Sequence, residues 1–266
     1  MKKNIVSTFE VEKLSVVIAE NRNYIGKFSA EYVCRLIKDL LNQKEEIRMV
    51  FPAAPYQNEF LYELVKDKSI EWSRIIGFQM DEYIGLPEGS KQLFSHNLFE
   101  NLFSKVNFKK VHFINSNVRD IQKECSRYEL LLKENIIDIV CMGISENGHI
   151  AFNDPHIADF NDDKIVKVVE LDLVCRKQQV NDGCFYSIDD VPKTAITLTI
   201  SALLSGTYIS VVVHGKSKAK AGYNTLTGKI STECPSSILR THTNAFLFLD
   251  KDSSYIFNRE NYAQFA

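Results

Sequence analysis

Residues 136–144 read IIDIVCMGI and run directly into the loop Ser145-Glu146-Asn147-Gly148-His149-Ile150-Ala151-Phe152-Asn153-Asp154-Pro155. An apolar run this short, rich in β-branched residues and closed by glycine, asparagine and proline, predicts a strand buried on both faces. Strands of that kind belong to parallel sheets covered by helices. The chain repeats the pattern in both directions. Upstream, LSVVIA (14–19), IRMVFPA (47–53) and IIGFQM (75–80) alternate with segments of helical period, marked by Tyr32, Leu36, Leu40 and Leu41, by residues 60–65, and by Leu93, Asn97, Leu98 and Leu102. Downstream, the runs at 165–171, 195–200, 208–214 and 245–249 also read as strands, with a helical stretch at 217–226 between the last two. The expected fold is α/β: a single-domain, open, mostly parallel sheet of Rossmann-like type with helices on both faces.

A chain of 266 residues, 45% hydrophobic and 25% charged, can bury a large core, and no linker or solenoid repeat divides it. One domain over residues 1–266 is expected. The 32 Lys and Arg nearly cancel the 34 Asp and Glu, so the basic excess of a nucleic-acid binder is missing and no nucleic-acid partner is expected. No apolar run approaches the length of a membrane span, and the start MKKNIVSTFEVEK lacks the apolar stretch of a signal peptide. A cytoplasmic protein without a membrane partner is expected. Cys34, Cys125, Cys141, Cys175, Cys184 and Cys234 form no C-x-x-C pair and have no histidine at zinc-finger spacing. They read as small buried hydrophobes in a reducing compartment, with no metal site.

Open parallel sheets bind ligands beyond the carboxyl ends of their strands, which directs attention to two loops. In Phe78-Gln79-Met80-Asp81-Glu82-Tyr83 the two adjacent carboxylates point in opposite directions along an extended chain, so one of them can face the crevice as a partly desolvated general base. The alternative is that Asp81 or Glu82 caps the following turn. In the loop after residue 144, His149 can move protons near neutral pH with Asp154 orienting it. Asn153-Asp154-Pro155 is also plain turn chemistry.

Taken together, the strings QMDEYIGL and MGISENGHIAFNDP resemble the two signature segments of the glucosamine-6-phosphate deaminase/isomerase family, which shares a superfamily with the 6-phosphogluconolactonases. VPKTAITLTISALL (191–204) and VVVHGKSKAKA (211–221) resemble its later segments, so the resemblance covers the chain from about residue 47 onward. It implies that Asp81 abstracts the C2 proton, that His149 opens the sugar ring, and that Asp154 supports His149, with Asn147 as a further catalytic position. Lys218 matches a lysine that contacts the sugar phosphate, and Glu82, Gly148, Ala54 and Gln57 fall at substrate-binding positions. The implied reaction converts glucosamine 6-phosphate or a close relative to a ketose 6-phosphate and ammonia, needs no cofactor, and has a small sugar phosphate as its partner. The family includes monomers and hexamers, so a homo-oligomer is compatible with the resemblance.

Three departures stand out. A Gly-Gly-Ser/Thr-Pro phosphate loop is replaced by Phe51-Pro52-Ala53-Ala54-Pro55-Tyr56-Gln57-Asn58, an Asn-x-Arg-Phe-Phe segment has no clear match in residues 180–185, and Asp154 stands where a glutamate is usual. Alanine and proline cannot form the same amide cradle. Arg176 with Lys177, and Arg240 with His242, are candidate replacement cations beside Lys218. The alternatives are a lactone hydrolase, which the continuation Ala151-Phe152-Asn153-Asp154 disfavours, and a non-catalytic sugar-phosphate sensor, which the retention of Asp81 and His149 disfavours.

Overall fold

Residue 47 starts a strand, Ile47–Phe51, whose five side chains are all buried. Ile47, Met49 and Phe51 enter one apolar cluster and Val50 the other, so the strand alternates between two cores on opposite faces of one sheet. Residues 4–263 are described by the computed structural model of the chain; the expectation of one domain over residues 1–266 extends at both ends beyond them.

The strands are β1 (Ile5–Val11), β2 (Leu14–Ala19), β3 (Ile47–Phe51), β4 (Ile75–Gln79), β5 (Asp81–Ile84), β6 (Lys110–His112), β7 (Ile139–Met142), β8 (Val166–Glu170), β9 (Thr194–Leu198), β10 (Tyr208–Val213) and β11 (Ala245–Asp250). The α-helices are α1 (Arg22–Leu41), α2 (Asn58–Lys66), α3 (Phe94–Leu98), α4 (Ile121–Lys133), α5 (Leu173–Asn181), α6 (Ile200–Leu204), α7 (Ala219–Thr227) and α8 (Tyr255–Ala263). The main sheet has eight strands in the order β1-β2-β11-β10-β7-β3-β4-β6. All its pairings are parallel except the β1–β2 hairpin.

The open, mostly parallel sheet is therefore as the sequence predicts, and two features differ. Residues 165–171 and 195–200 are strands, but β8 and β9 join β5 in a separate three-stranded antiparallel sheet. Strand pattern alone does not say which sheet a strand joins. The hairpin strand β1 is new: IVSTFEV is half-buried and mixes polar with apolar residues, without the apolar run that marks a central strand.

Helices follow local chemistry. Asn21 caps α1 by accepting from the backbone N–H of Asn23 and Tyr24, and Ile25, Phe28, Val33, Ile37 and Leu41 form its buried stripe. Asp120 and Asp172 cap α4 and α5 in the same way. Tyr128 of α4 packs on the opposite face from α1, and its hydroxyl accepts from the backbone N–H of Gln79 at the end of β4.

The order of strands reverses at β7. From β3 the sheet continues through β4 to β6, and from β7 through β10 to β11. A crevice opens beyond the carboxyl ends at such a switch point. Five of the six cysteines are buried and Cys184 is partly so, all without disulfides. Among the described residues, no helix is long and apolar enough to cross a membrane.

Candidate active site

The loops after β3 and β7 meet at the switch point. A Cβ on Gly143 would lie 2.6 Å from the Tyr56 ring and 2.7 Å from Gln57 Nε2, so glycine is what lets the two loops touch. Beside this contact a cavity is lined by Ala54, Tyr56, Asp81, Phe94, His149 and Gln179. Asp81 and His149, far apart in sequence, thus face one space.

Their alignment is set by β9. In the antiparallel pairing of β5 and β9, Asp81 stands opposite Thr197. The Thr197 hydroxyl accepts from Phe152 N–H at 3.0 Å, and the Asn153 side-chain amide donates to Leu198 O at 2.9 Å. One strand therefore positions both the carboxylate and the histidine loop.

Asp81 and Glu82 separate as alternation requires. Asp81 lines the cavity, and burial, with the nearby Glu82 charge, holds its pKa well above the usual carboxylate range. Glu82 turns the other way and is 1% exposed. Its carboxylate accepts from the backbone N–H of Tyr83, Phe94 and Ser95 at 2.8–3.0 Å and from Gln79 Nε2 at 2.9 Å. All of these donors are protein groups, so Glu82 anchors the start of α3 instead of holding substrate.

In the second loop, His149 Nδ1 lies 2.5 Å from Asp154 Oδ1. Asp154 is fully buried, which on its own raises a carboxyl pKa, yet the His149 contact and the donations from Asn147 and the Asp172 backbone bring it down to about 2. Asn147 is a positioning residue: its amide donates to Asp154 at 2.9 Å, and its oxygen accepts from His149 N–H at 3.1 Å. With Nδ1 engaged, Nε2 is the His149 nitrogen left to move a proton. Gly148 is required by the turn itself. Its φ is +84°, and a Cβ would lie 2.7 Å from Cys234 Sγ.

At the distal end Ala54 lines the cavity, but Gln57 does not. Gln57 is buried with its amide donating to Val212 O at 3.0 Å, which ties the β3 loop to β10. Its backbone N–H donates to Ala54 O at 2.8 Å and is taken up by the turn.

Among the candidate cations, Arg176 and Arg240 are committed elsewhere. Arg176 donates to Ile188 O and Val191 O, and Arg240 to Leu226 O and Gly228 O while pairing with Glu12. His242 contacts Gly206 O at 2.9 Å, and Lys177 is exposed on α5. Lys218 alone of these adjoins the cavity, with its Nζ 5.3 Å from the centre of the Tyr56 ring. Tyr56, Gln179 and Phe94 are cavity residues that motif reading did not single out.

Among the described residues, two groups have donor atoms within 4.8 Å of one another, His149–Asp154–Cys175 and Asp154–His156–Asp172. Both rely on Asp154, whose Oδ1 is already used by His149 and Asn147. Burial also keeps the Cys175 thiol protonated, well above its ordinary pKa, and a thiol is a poor ligand. Neither set suits a metal.

Residues 20–248 match the family model described as glucosamine-6-phosphate isomerases/6-phosphogluconolactonase. A glucosamine-6-phosphate deaminase of Clostridium botulinum (strain Eklund 17B / Type B) is 32% identical over 253 residues, 94% of this chain and 99% of that protein. One from Thermoanaerobacter pseudethanolicus is 31% identical over 252 residues, 93% of this chain and 97% of that protein. Among solved structures, a monomeric glucosamine-6-phosphate deaminase superposes with a TM-score of 0.82 at 28% identity, covering 90% of this chain and 98% of its own. The 6-phosphogluconolactonase of Thermotoga maritima gives 0.71 at 24% identity, covering 90% and 100%, which is a likeness of fold. Similarity of sequence extends along nearly the whole chain, and the chain belongs to the glucosamine-6-phosphate isomerase/6-phosphogluconolactonase family.

Proposed function

We propose that this protein is an amino-sugar-phosphate isomerase/deaminase that converts glucosamine 6-phosphate, or a close relative, to a ketose 6-phosphate and ammonia. The observation that carries the reading is one cavity shared by a buried carboxyl of raised pKa, Asp81, and a histidine held by a buried carboxylate, His149 with Asp154. Pairs of titratable groups with opposed environments suit a reaction that needs two distinct proton transfers.

The chemistry divides between them. His149 takes the proton from the anomeric hydroxyl and returns it to the ring oxygen, opening the pyranose. Asp81 removes the C2 proton while a proton passes from the substrate's ammonium group to the carbonyl oxygen at C1, giving a neutral enolamine, and Asp81 then returns its proton to C1. The resulting imine at C2 takes up water and releases ammonia, leaving the ketose. Asp154 and Asn147 fix the ring of His149, and Lys218 is the cation nearest the distal end of the substrate. Phe94, Phe152 and Met80 give the site apolar walls, which favour proton transfer over exchange with bulk water.

The six free cysteines support a reducing, cytoplasmic setting, in which the reaction serves amino-sugar breakdown such as that of N-acetylglucosamine. The test is incubation of the purified protein with glucosamine 6-phosphate, with ammonia and ketose phosphate measured. Equimolar release of both supports the proposal. Acid release from 6-phosphogluconolactone without ammonia from the amino sugar would replace it with the hydrolase, and binding without turnover would replace it with the sensor.

A further inference from the structure

Lys218 is 2% exposed, and its Nζ has no hydrogen-bond partner among the described residues. Its charge is nevertheless opposed. Glu146 Oε1 lies 3.6 Å away and Asp182 Oδ2 3.8 Å away, both too far for a hydrogen bond and close enough for strong attraction. The two acids are tied together through one side chain: Gln178 Oε1 accepts from the Glu146 backbone N–H at 2.9 Å, and Gln178 Nε2 donates to Asp182 at 3.3 Å. Beside this trio stands Tyr56, which lines the same cavity as Asp81 and has its ring centre 5.3 Å from Lys218 Nζ.

We propose that Glu146 and Asp182 are specificity-determining residues that oppose a phosphate dianion at the distal subsite, so that this protein discriminates weakly between a 6-phosphorylated amino sugar and its unphosphorylated counterpart. The inference rests on the deaminase reading above and concerns the same site. A phosphate reaching Lys218 comes within a few ångströms of two carboxylates, and in a largely buried site water screens that repulsion poorly. One ammonium faces two carboxylates, so the trio is net negative before any ligand arrives. The turn at Ala54–Gln57 contributes no further cation, and Arg176 and Arg240 are committed to backbone carbonyls. A sugar hydroxyl, by contrast, finds acceptors in Glu146 and Asp182. The carboxylates thereby trade affinity for the dianion against tolerance of a neutral group.

The test compares kcat/KM for glucosamine 6-phosphate and for glucosamine in the wild type, Glu146→Gln and Asp182→Asn. The ratio of the two cancels general damage to the catalyst. Each carboxamide should raise the phosphorylated-to-unphosphorylated ratio about tenfold or more, through a lower KM for the phosphorylated sugar. Charge-retaining Glu146→Asp and Asp182→Glu should stay near the wild-type ratio. Calorimetry with inorganic phosphate supplies an arm independent of turnover, with tighter binding expected in both carboxamide variants. An unchanged or lower ratio together with unchanged phosphate binding would overturn the proposal. A wild type that releases no ammonia from either sugar would sink the deaminase reading instead, and the calorimetric arm would still decide this one.

Discussion

Asp81 is asked to be two things at once. As a base it must be ionised, yet its burial and the neighbouring Glu82 charge favour the protonated form. A carboxyl whose folded-state pKa lies above its unfolded value adds stability while protonated and costs stability once pH rises through the folded value. Asp81→Asn removes the cost along with the base. It should lower kcat by about a hundredfold or more, while the melting temperature at neutral pH rises by a few degrees. Retained exchange of the C2 hydrogen with solvent deuterium, or a lower melting temperature, would contradict this account. In the wild type, the acid limb of the rate profile should lie well above the range of an ordinary aspartate. For His149, replacement by glutamine should slow the cyclic sugar much more than a substrate held open-chain. Equal losses on both would remove ring opening from its role. Asp81 and His149 were legible in the amino-acid sequence because their two strings occur together. The motif around Lys218 singles that residue out, but gives no sign of Glu146 and Asp182, since only the docking of α5 against the loop after β7 brings them to the ammonium.

Among the elements, the loop 143–155 depends on backbone conformations that side chains resist. Gly148→Ala meets both a φ of +84° and Cys234 Sγ at 2.7 Å. It should destabilise the fold by roughly 1–3 kcal/mol and lower kcat, because His149 is the next residue. Denaturant unfolding and steady-state kinetics on the same preparation check both, and a neutral outcome would mean that the turn relaxes freely. Strand existence was readable from apolar runs, as β3, β4, β7, β10 and β11 show. Membership was not: residues 81–84 (DEYI) carry no apolar alternation and read as a loop, and only pairing with β9 makes them the strand β5 and places β8 and β9 with it in a second sheet. The edge strand β6 has three residues, too few to show any period.

Over the whole molecule, the buried His149–Asp154 pair links the site to acid stability. Asp154 has a folded-state pKa of about 2 against an ordinary value of 3.8. Its contribution is therefore present above about pH 4 and is lost as pH falls through 2, with a size of about 2 kcal/mol. Asp154→Asn should be less stable at neutral pH and should show a flatter stability profile between about pH 4 and 2. Chemical denaturation at several pH values checks both, and parallel profiles for the two proteins would mean that the pair is not a source of stability.

The described chain passes between the two sheets four times, and the tightest of these crossings is a single residue. Met80 alone separates β4 from β5, and Met80 O accepts from Leu198 N–H at 3.1 Å, so the crossing is itself hydrogen-bonded. A crossing of one buried residue holds the start of β5 directly against the end of β4. Asp81 is the first residue past it, which makes the base part of the scaffold instead of a passenger on a mobile loop. Backbone amides of β4, β5 and β9 should then exchange with deuterium as one cooperative unit, at rates set by opening of the whole core. Access for the sugar must come from the rim, where the β3 turn and the end of α5 border the cavity. On the deaminase reading proposed above, the reacting end of the sugar would meet a floor built into the sheet, with adaptability confined to the rim.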